Sequence, residues 1–298
     1  MSSLDAKAQA VKDLLWAINS PSLVDGSDVA QAEPISSDDI DGEHLSAFLD
    51  EQPDVHRVGR YFEQLVSYWL LHVRKVEVVA TGMQLKEGKI TIGEIDFLYR
   101  NEADTLVHAE ASVKFFLYVP GAEPSEYPGP NARDNFEAKV TKLFDKQLKA
   151  SEGRIDDISE REGFIRGMIF YRDNSRPETT PNRLAPDHQQ GHWCYANELE
   201  TLEAAGDQFS IVAKPHWLAP QLSPPVMTFD QLADHLRNHF NTEADGPNHP
   251  LMLSVRSEAE PNVENTRSVV VPATWPWSTP GSDPTVDHQT PPSRSPYS

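Results

Sequence analysis

The chain has 298 residues, of which 38% are hydrophobic and 24% charged, and it carries a net charge of −20. That is enough apolar material for a packed core in one large domain or two small ones, and no run approaches the roughly 20 apolar residues of a membrane helix. The single cysteine, Cys194, excludes an internal disulfide, and the start Met1-Ser2-Ser3-Leu4-Asp5 lacks the basic residues and apolar run of a signal peptide, so a cytoplasmic protein is expected.

Residues 4–18 place Leu4, Ala8, Val11, Leu14, Leu15 and Ile18 at helical spacing, and NSPSL ends that helix. It is expected to form an N-terminal unit, 1–24, packed on the core. Residues 25–45 are acidic, small and polar and read as a solvated linker. A strong helix is predicted from about Val58 to Val73, with Tyr61, Phe62, Leu65, Val66, Trp69 and Leu70 on its apolar side. The period then changes to two. Residues 76–83, 90–100 and 105–118 look like three successive strands joined by short turns. A Pro/Gly-rich loop precedes a helix near 132–150. Two further strands, 163–172 and 208–218, and a helix over 228–240 with Thr228 as N-cap complete a domain spanning 46–255. From 256 to 298 the Pro/Ser/Thr-rich composition predicts a disordered tail. Interleaved helices and strands favour an α/β fold with a mixed central sheet flanked by helices.

Charge is unevenly spread. Residues 1–56 hold 12 acids against 2 bases and residues 242–298 hold 7 against 3, leaving 27 acids and 21 bases between them. The middle is therefore the part a polyanion would meet with least repulsion.

The chemistry-bearing stretch is Gly93-Glu94-Ile95-Asp96-Phe97-Leu98, followed by Val107-His108-Ala109-Glu110-Ala111-Ser112-Val113-Lys114-Phe115. Alternate strand residues share a face, so Glu94 and Asp96 point one way on one strand, and Glu110, Ser112 and Lys114 one way on the next. Antiparallel neighbours would bring these polar faces together. Burying several carboxylates costs free energy unless a cation compensates, and oxygen ligands suit Mg²⁺ or Mn²⁺. Asp96 and Glu110 are the expected metal ligands, with Lys114 serving the attacking water and the phosphate charge. On the following helix Lys139, Lys142, Lys146 and Lys149 fall on one side, a stripe able to track a nucleic-acid backbone. A solvated sheet face and an ordinary charged helix face are the plain alternatives. His188, His192 and Cys194, with Asp187, lack a second Cys/His pair at zinc-site spacing.

The GEIDFL strand followed by an acid and a lysine resembles the active site of the PD-(D/E)XK nucleases, which have a restriction-endonuclease-like fold. This sequence departs from that pattern: Ser112 stands where the family has its lysine, and Lys114 lies two residues, about 7 Å, farther along the same face. A closer resemblance is to an uncharacterised bacterial family, domain of unknown function 1853, grouped with that superfamily. It is carried by VKDLLWAINSPSL (11–23), RVGRYFEQLVSYWL (57–70), GEIDFLYR, HAEASVKFFL (108–117), GPNARDNFEAKVTKLFDKQL (129–148) and PDHQQGHW (186–193). The resemblance implies a metal-dependent nuclease acting on DNA, or less readily RNA, with Glu63 as the acid from the first helix and Gln147 as the helix glutamine after the lysine strand. The alternative is a catalytically inactive relic of that fold that binds a protein or a nucleic acid.

Overall fold

A computed structural model describes residues 3–53, 56–172, 177–240 and 249–276. Eight strands form one mixed sheet: β1 Glu77–Glu87, β2 Ile90–Arg100, β3 Leu106–Leu117, β4 Ile158–Tyr171, β5 Gln189–Tyr195, β6 Gln208–Ile211, β7 Leu251–Ser257 and β8 Glu260–Val271, in the order β1-β2-β3-β4-β5-β8-β7-β6. β3, β4, β5 and β8 run parallel in the centre, and antiparallel pairs close both sides. The helices are α1 Ser3–Asn19, α2 Gly42–Asp50, α3 Val58–Tyr68, α4 Phe136–Lys142, α5 Glu200–Glu203 and α6 Phe229–His239. The mixed sheet flanked by helices is the α/β architecture that the interleaved periodicities predict.

Residues 106–117 make β3 a strand covered on both faces, and alternation sorts its side chains. Val107, Ala109, Ala111, Val113, Phe115 and Leu117 join the core that α1 and α3 cover, where Leu14, Phe62 and Leu65 are fully buried. Phe116, one step out of phase, packs instead with Phe136 and Phe144 on the opposite face. His108, Glu110, Ser112 and Lys114 share that phase and so point away from the α1/α3 core. The stripe read on α3 is the observed one: Tyr61, Phe62, Leu65 and Val66 are all buried. Thr228 caps α6 as expected, in a capping box with Gln231.

Polar groups tie α1 to the rest. Asp13, with no exposed surface, accepts from the Tyr61 hydroxyl at 3.0 Å and from Ala219 N at 3.0 Å. Buried Arg166 of β4 donates to the C-terminal carbonyls of α1, Ala17 O at 3.1 Å and Ile18 O at 3.2 Å, and lies 4.1 Å from the Phe164 ring centre. A cation at a helix C-terminus is favoured by the helix dipole, which helps a buried guanidinium that has no acid partner among the described residues.

Three expectations need correction. Residues 25–45 are not a solvated linker. Ala30 N donates to Gly163 O at 3.0 Å, Gly163 N donates to Asp28 O at 2.9 Å, the Asp28 carboxylate pairs with Arg183 at 2.8 and 2.9 Å, and Asp41 caps α2. The acids there serve as caps and ion-pair partners in a strap laid against β4. The tail does not begin at 256: β8 lies between β5 and β7, with Val269, Val270 and Val271 fully buried. Residues 277–298 of the expected tail lie outside the described residues. The helix near 132–150 is shorter, and the chain widens into a π-helical turn over Leu143–Gln147.

Gly167 sets how closely β4 approaches β3. It pairs with Lys114 in the parallel ladder, at φ 155°, and a Cβ there would stand 1.8 Å from the Lys114 carbonyl oxygen. Backbone cannot yield as a side-chain tip can. Gly167→Ala is expected to cost about 3 kcal/mol, from the forced strand separation and the unfavourable φ. A urea titration with an unchanged midpoint would refute that account.

Candidate functional site at the β2–β3 fork

The β2–β3 ladder runs from Arg100↔Leu106 to Phe97↔Ala109 and ends there. Beyond it β3 continues beside β4 as far as Leu117↔Phe170, while the outer part of β2 stays with β1 in a hairpin ending at Glu87↔Ile90. Asp96 is the first residue past the split. Its Oδ2 accepts the Ala111 N–H at 3.0 Å, a donor that a continued ladder would have given to a backbone carbonyl. The side chain thus closes the fork and is held at its apex.

Glu110, one residue before Ala111, is wholly buried and in hydrogen-bonding contact with Asp96. Burial, then the charges of Glu110 and Glu63, push the Asp96 carboxyl well above its ordinary range. Burial also raises Glu110, against the opposing hydrogen bonds from Asp96 and the Gln147 amide. Two carboxylates this close, one of them with no exposed surface, favour a shared proton or a cation. The convergence expected of Asp96 and Glu110 is what the fold produces.

A chain of side chains that the sequence did not single out holds Glu110. His108, two residues earlier on the same face, has Nε2 3.0 Å from Glu110 Oε1 and Nδ1 2.9 Å from Ser151 Oγ. Arg161 Nε donates to the same Ser151 oxygen at 3.1 Å. Burial, followed by the Arg161 charge, lowers His108 to about 4, so the ring is neutral at physiological pH. With Glu110 ionised, Oε1 only accepts. Nε2 then carries the ring proton, and Ser151 donates to Nδ1. The other oxygen, Oε2, accepts from Gln147 Nε2 at 2.8 Å.

Gln147 reaches Glu110 because of the π turn. In a regular α-helix Lys146 would follow Lys139 two turns later on one face. The wider turn brings Lys139, Leu143 and Gln147 into line instead. Lys139 and Lys142 line the cavity beside the fork; Lys146 and Lys149 do not, and Lys149 pairs with Asp145. The four-lysine stripe is thus corrected to two residues.

That cavity, about 230 Å³, is also lined by Glu63, Asp96, Ser112 and Lys114. Lys114 makes no ion pair among the described residues, and its amine is lowered by burial and by the Lys139 charge, although Asp134 and Glu63 oppose the shift. Ser112, at the position of the superfamily lysine, lies on the same wall. Glu63 of α3 accepts from Arg60 Nη1 at 2.7 Å, and burial raises its carboxyl despite that partner. Glu110 is not on the cavity wall. Among the described residues no three His, Cys, Asp or Glu side chains form a ready-made cage. Two contacting carboxylates remain a sufficient protein contribution for Mg²⁺, which keeps several waters.

The set around Asp187 is structural at its two buried members. His188 lies 2.9 Å from the Tyr171 hydroxyl and 2.5 Å from Ala185 O, and burial pushes the Cys194 thiol up to about 12.

Two tests follow from the raised carboxyls and the histidine chain. A group whose folded pKa lies above its unfolded value contributes stability that is lost as pH rises from the unfolded toward the folded value. Acidification from neutral pH toward about 5 should therefore stabilise the protein through this pair. Asp96→Asn, still able to accept from Ala111, should flatten that profile and raise stability at pH 7.5 by at least ~1 kcal/mol. A less stable Asn variant with an unaltered pH slope would contradict this. His108→Ala leaves Glu110 Oε1 without its donor and the Ser151 hydroxyl proton without its acceptor, and should cost about 1–3 kcal/mol in urea unfolding.

No curated protein and no solved structure matches the chain. A family model, the domain of unknown function DUF1853, matches residues 12–271, from α1 to the last residue of β8. The chain therefore belongs to the DUF1853 family.

Proposed function

We propose that this protein is a metal-dependent nuclease with a restriction-endonuclease-like site that hydrolyses phosphodiester bonds in DNA or RNA. The observation that carries the reading is the fork: two contacting carboxylates at its apex, Glu63 and a cavity-lining lysine beside them, and no other acid among the described residues on the cavity wall. Asp96 and Glu110 would hold Mg²⁺ or Mn²⁺, whose oxygen preference matches theirs. When bound, the ion supplies an acidified water and offsets charge on the phosphate.

The protein's own groups account for the rest. His108 and Gln147 hold one Glu110 oxygen each and fix the carboxylate plane. Lys114, its amine lowered by burial, orients the attacking water and donates to a non-bridging phosphate oxygen. Because it stands one alternation beyond Ser112, its longer stem crosses a distance that serine cannot. Lys139 and Lys142 seat the flanking phosphates as point charges.

A non-catalytic binding module is the second reading. It is favoured by Glu110, whose two oxygens are already bonded within the protein and which lies off the cavity wall. Titration with Mn²⁺ in a calorimeter separates the two. A binding isotherm for the wild type that disappears in Asp96→Asn is expected, with metal-dependent cleavage of a mixed DNA and RNA panel. Lys114→Ala should keep the metal and lose at least ~100-fold in cleavage. If no metal binds with or without nucleic acid and nothing is cut, the binding module is correct.

A further inference from the structure

Beside the cavity of Lys114 lies a second, larger one of about 670 Å³. It is lined by Gln52, His56, Arg57, Arg60, Gln64 and Thr81 among others, and its wall includes Glu63 and Asp96. Among the described residues those two are the only acids on either wall, and both cavities share them. The two spaces therefore meet at the fork, with the carboxylates at the junction. Lys142 at one end, and His56, Arg57 and Arg60 at the other, are exposed, so each cavity opens to solvent away from the junction.

The charge pattern runs against the whole molecule. In a chain with 46 acids and 26 bases, the described residues put no acid but the shared two on either wall, and place three lysines on one side and two arginines on the other. Arg60 is paired with Glu63 and Lys139 with Asp134, whereas Arg57, Lys114 and Lys142 make no ion pair among the described residues. A metal ion with its waters needs far less than 670 Å³, a volume within the range of small-molecule sites. Cations on both sides of an acidic centre match a polyanion that crosses it. One that ended there would need cations on one side only.

We propose that the second cavity is a phosphate-binding arm of the same site. In it Arg57 and Arg60 grip a polynucleotide strand on the side opposite Lys139 and Lys142, so that the strand is engaged in its interior and needs no free end. This rests on the nuclease reading above. The strand's sugar-phosphate chain is the recognised chemistry, and Gln52, Gln64 and Thr81 supply neutral hydrogen-bonding groups along its path.

The experiment uses covalently closed single-stranded circles of DNA and of RNA beside linear strands of the same sequence, incubated with the full chain and Mn²⁺. Circles opened at rates within about threefold of linear cleavage are the expected result. Linear strands cut while circles stay intact would overturn this inference and leave the nuclease reading standing. If neither form is cut, the nuclease reading fails and this proposal with it. Arg57→Glu is the second arm of the test. It should weaken binding of a linear strand, measured with Ca²⁺ by fluorescence anisotropy, about tenfold at low salt and less as salt rises. Its Mn²⁺ isotherm should match the wild type. Undiminished strand binding by this variant would remove the arginine arm from the site.

Discussion

One hydrogen bond organises the centre of this protein: the Ala111 N–H given to the Asp96 carboxylate instead of to a strand neighbour. A sheet donor cannot be left buried and unpaired. Where β2 turns away, some acceptor has to replace the lost carbonyl, and a carboxylate does so at the cost of being held in a half-buried position. Everything polar around it then follows. Glu110 comes into contact because it precedes Ala111 on the opposite face; His108 and Gln147 are needed because Glu110 has no access to water.

Much of this was legible in the sequence, and the reason is period. β2 and β3 alternate cleanly enough for Asp96, Glu110 and Lys114 to be placed on one face before any coordinates exist. What alternation could not supply was the fork, since the point where two strands part depends on their partners. Glu63 shows the same limit: its helix was readable, but its position at the wall of two cavities depends on how α3 lies across the split. His108 was in the right phase to join the site. A lone histidine in an apolar strand carries no sign of whether it is core or support, and Ser151 and Arg161, which decide the matter, are 43 and 53 residues away.

The errors have equally local causes. The lysine stripe holds only on an ideal α-helix, and a single π turn moves every later residue around the axis, bringing Gln147 in and taking Lys146 out. The strap over residues 25–45 looked solvated because its acids were counted as surface charge, whereas Asp28 and Asp41 are spent on an arginine and a helix end. β8 escapes a reading by composition because its first half, Glu260-Pro261-Asn262-Val263-Glu264-Asn265, is mostly polar and mostly exposed and only Arg267–Val271 is buried. Composition over that window averages two environments.

The place of β8 also bears on how the protein is made. The strand that enters the sheet between β5 and β7 follows the other seven in the chain, so it is the last of the eight to leave the ribosome. Until residue 271 has emerged, β5 has an open edge beside a nearly complete apolar layer, and β7 has no neighbour on that side. Such edges recruit strands from other molecules. Synthesis of this protein therefore includes an interval of vulnerability that ends only once β8 has emerged, and during it a slow ribosome or a crowded cell would favour aggregation over closure.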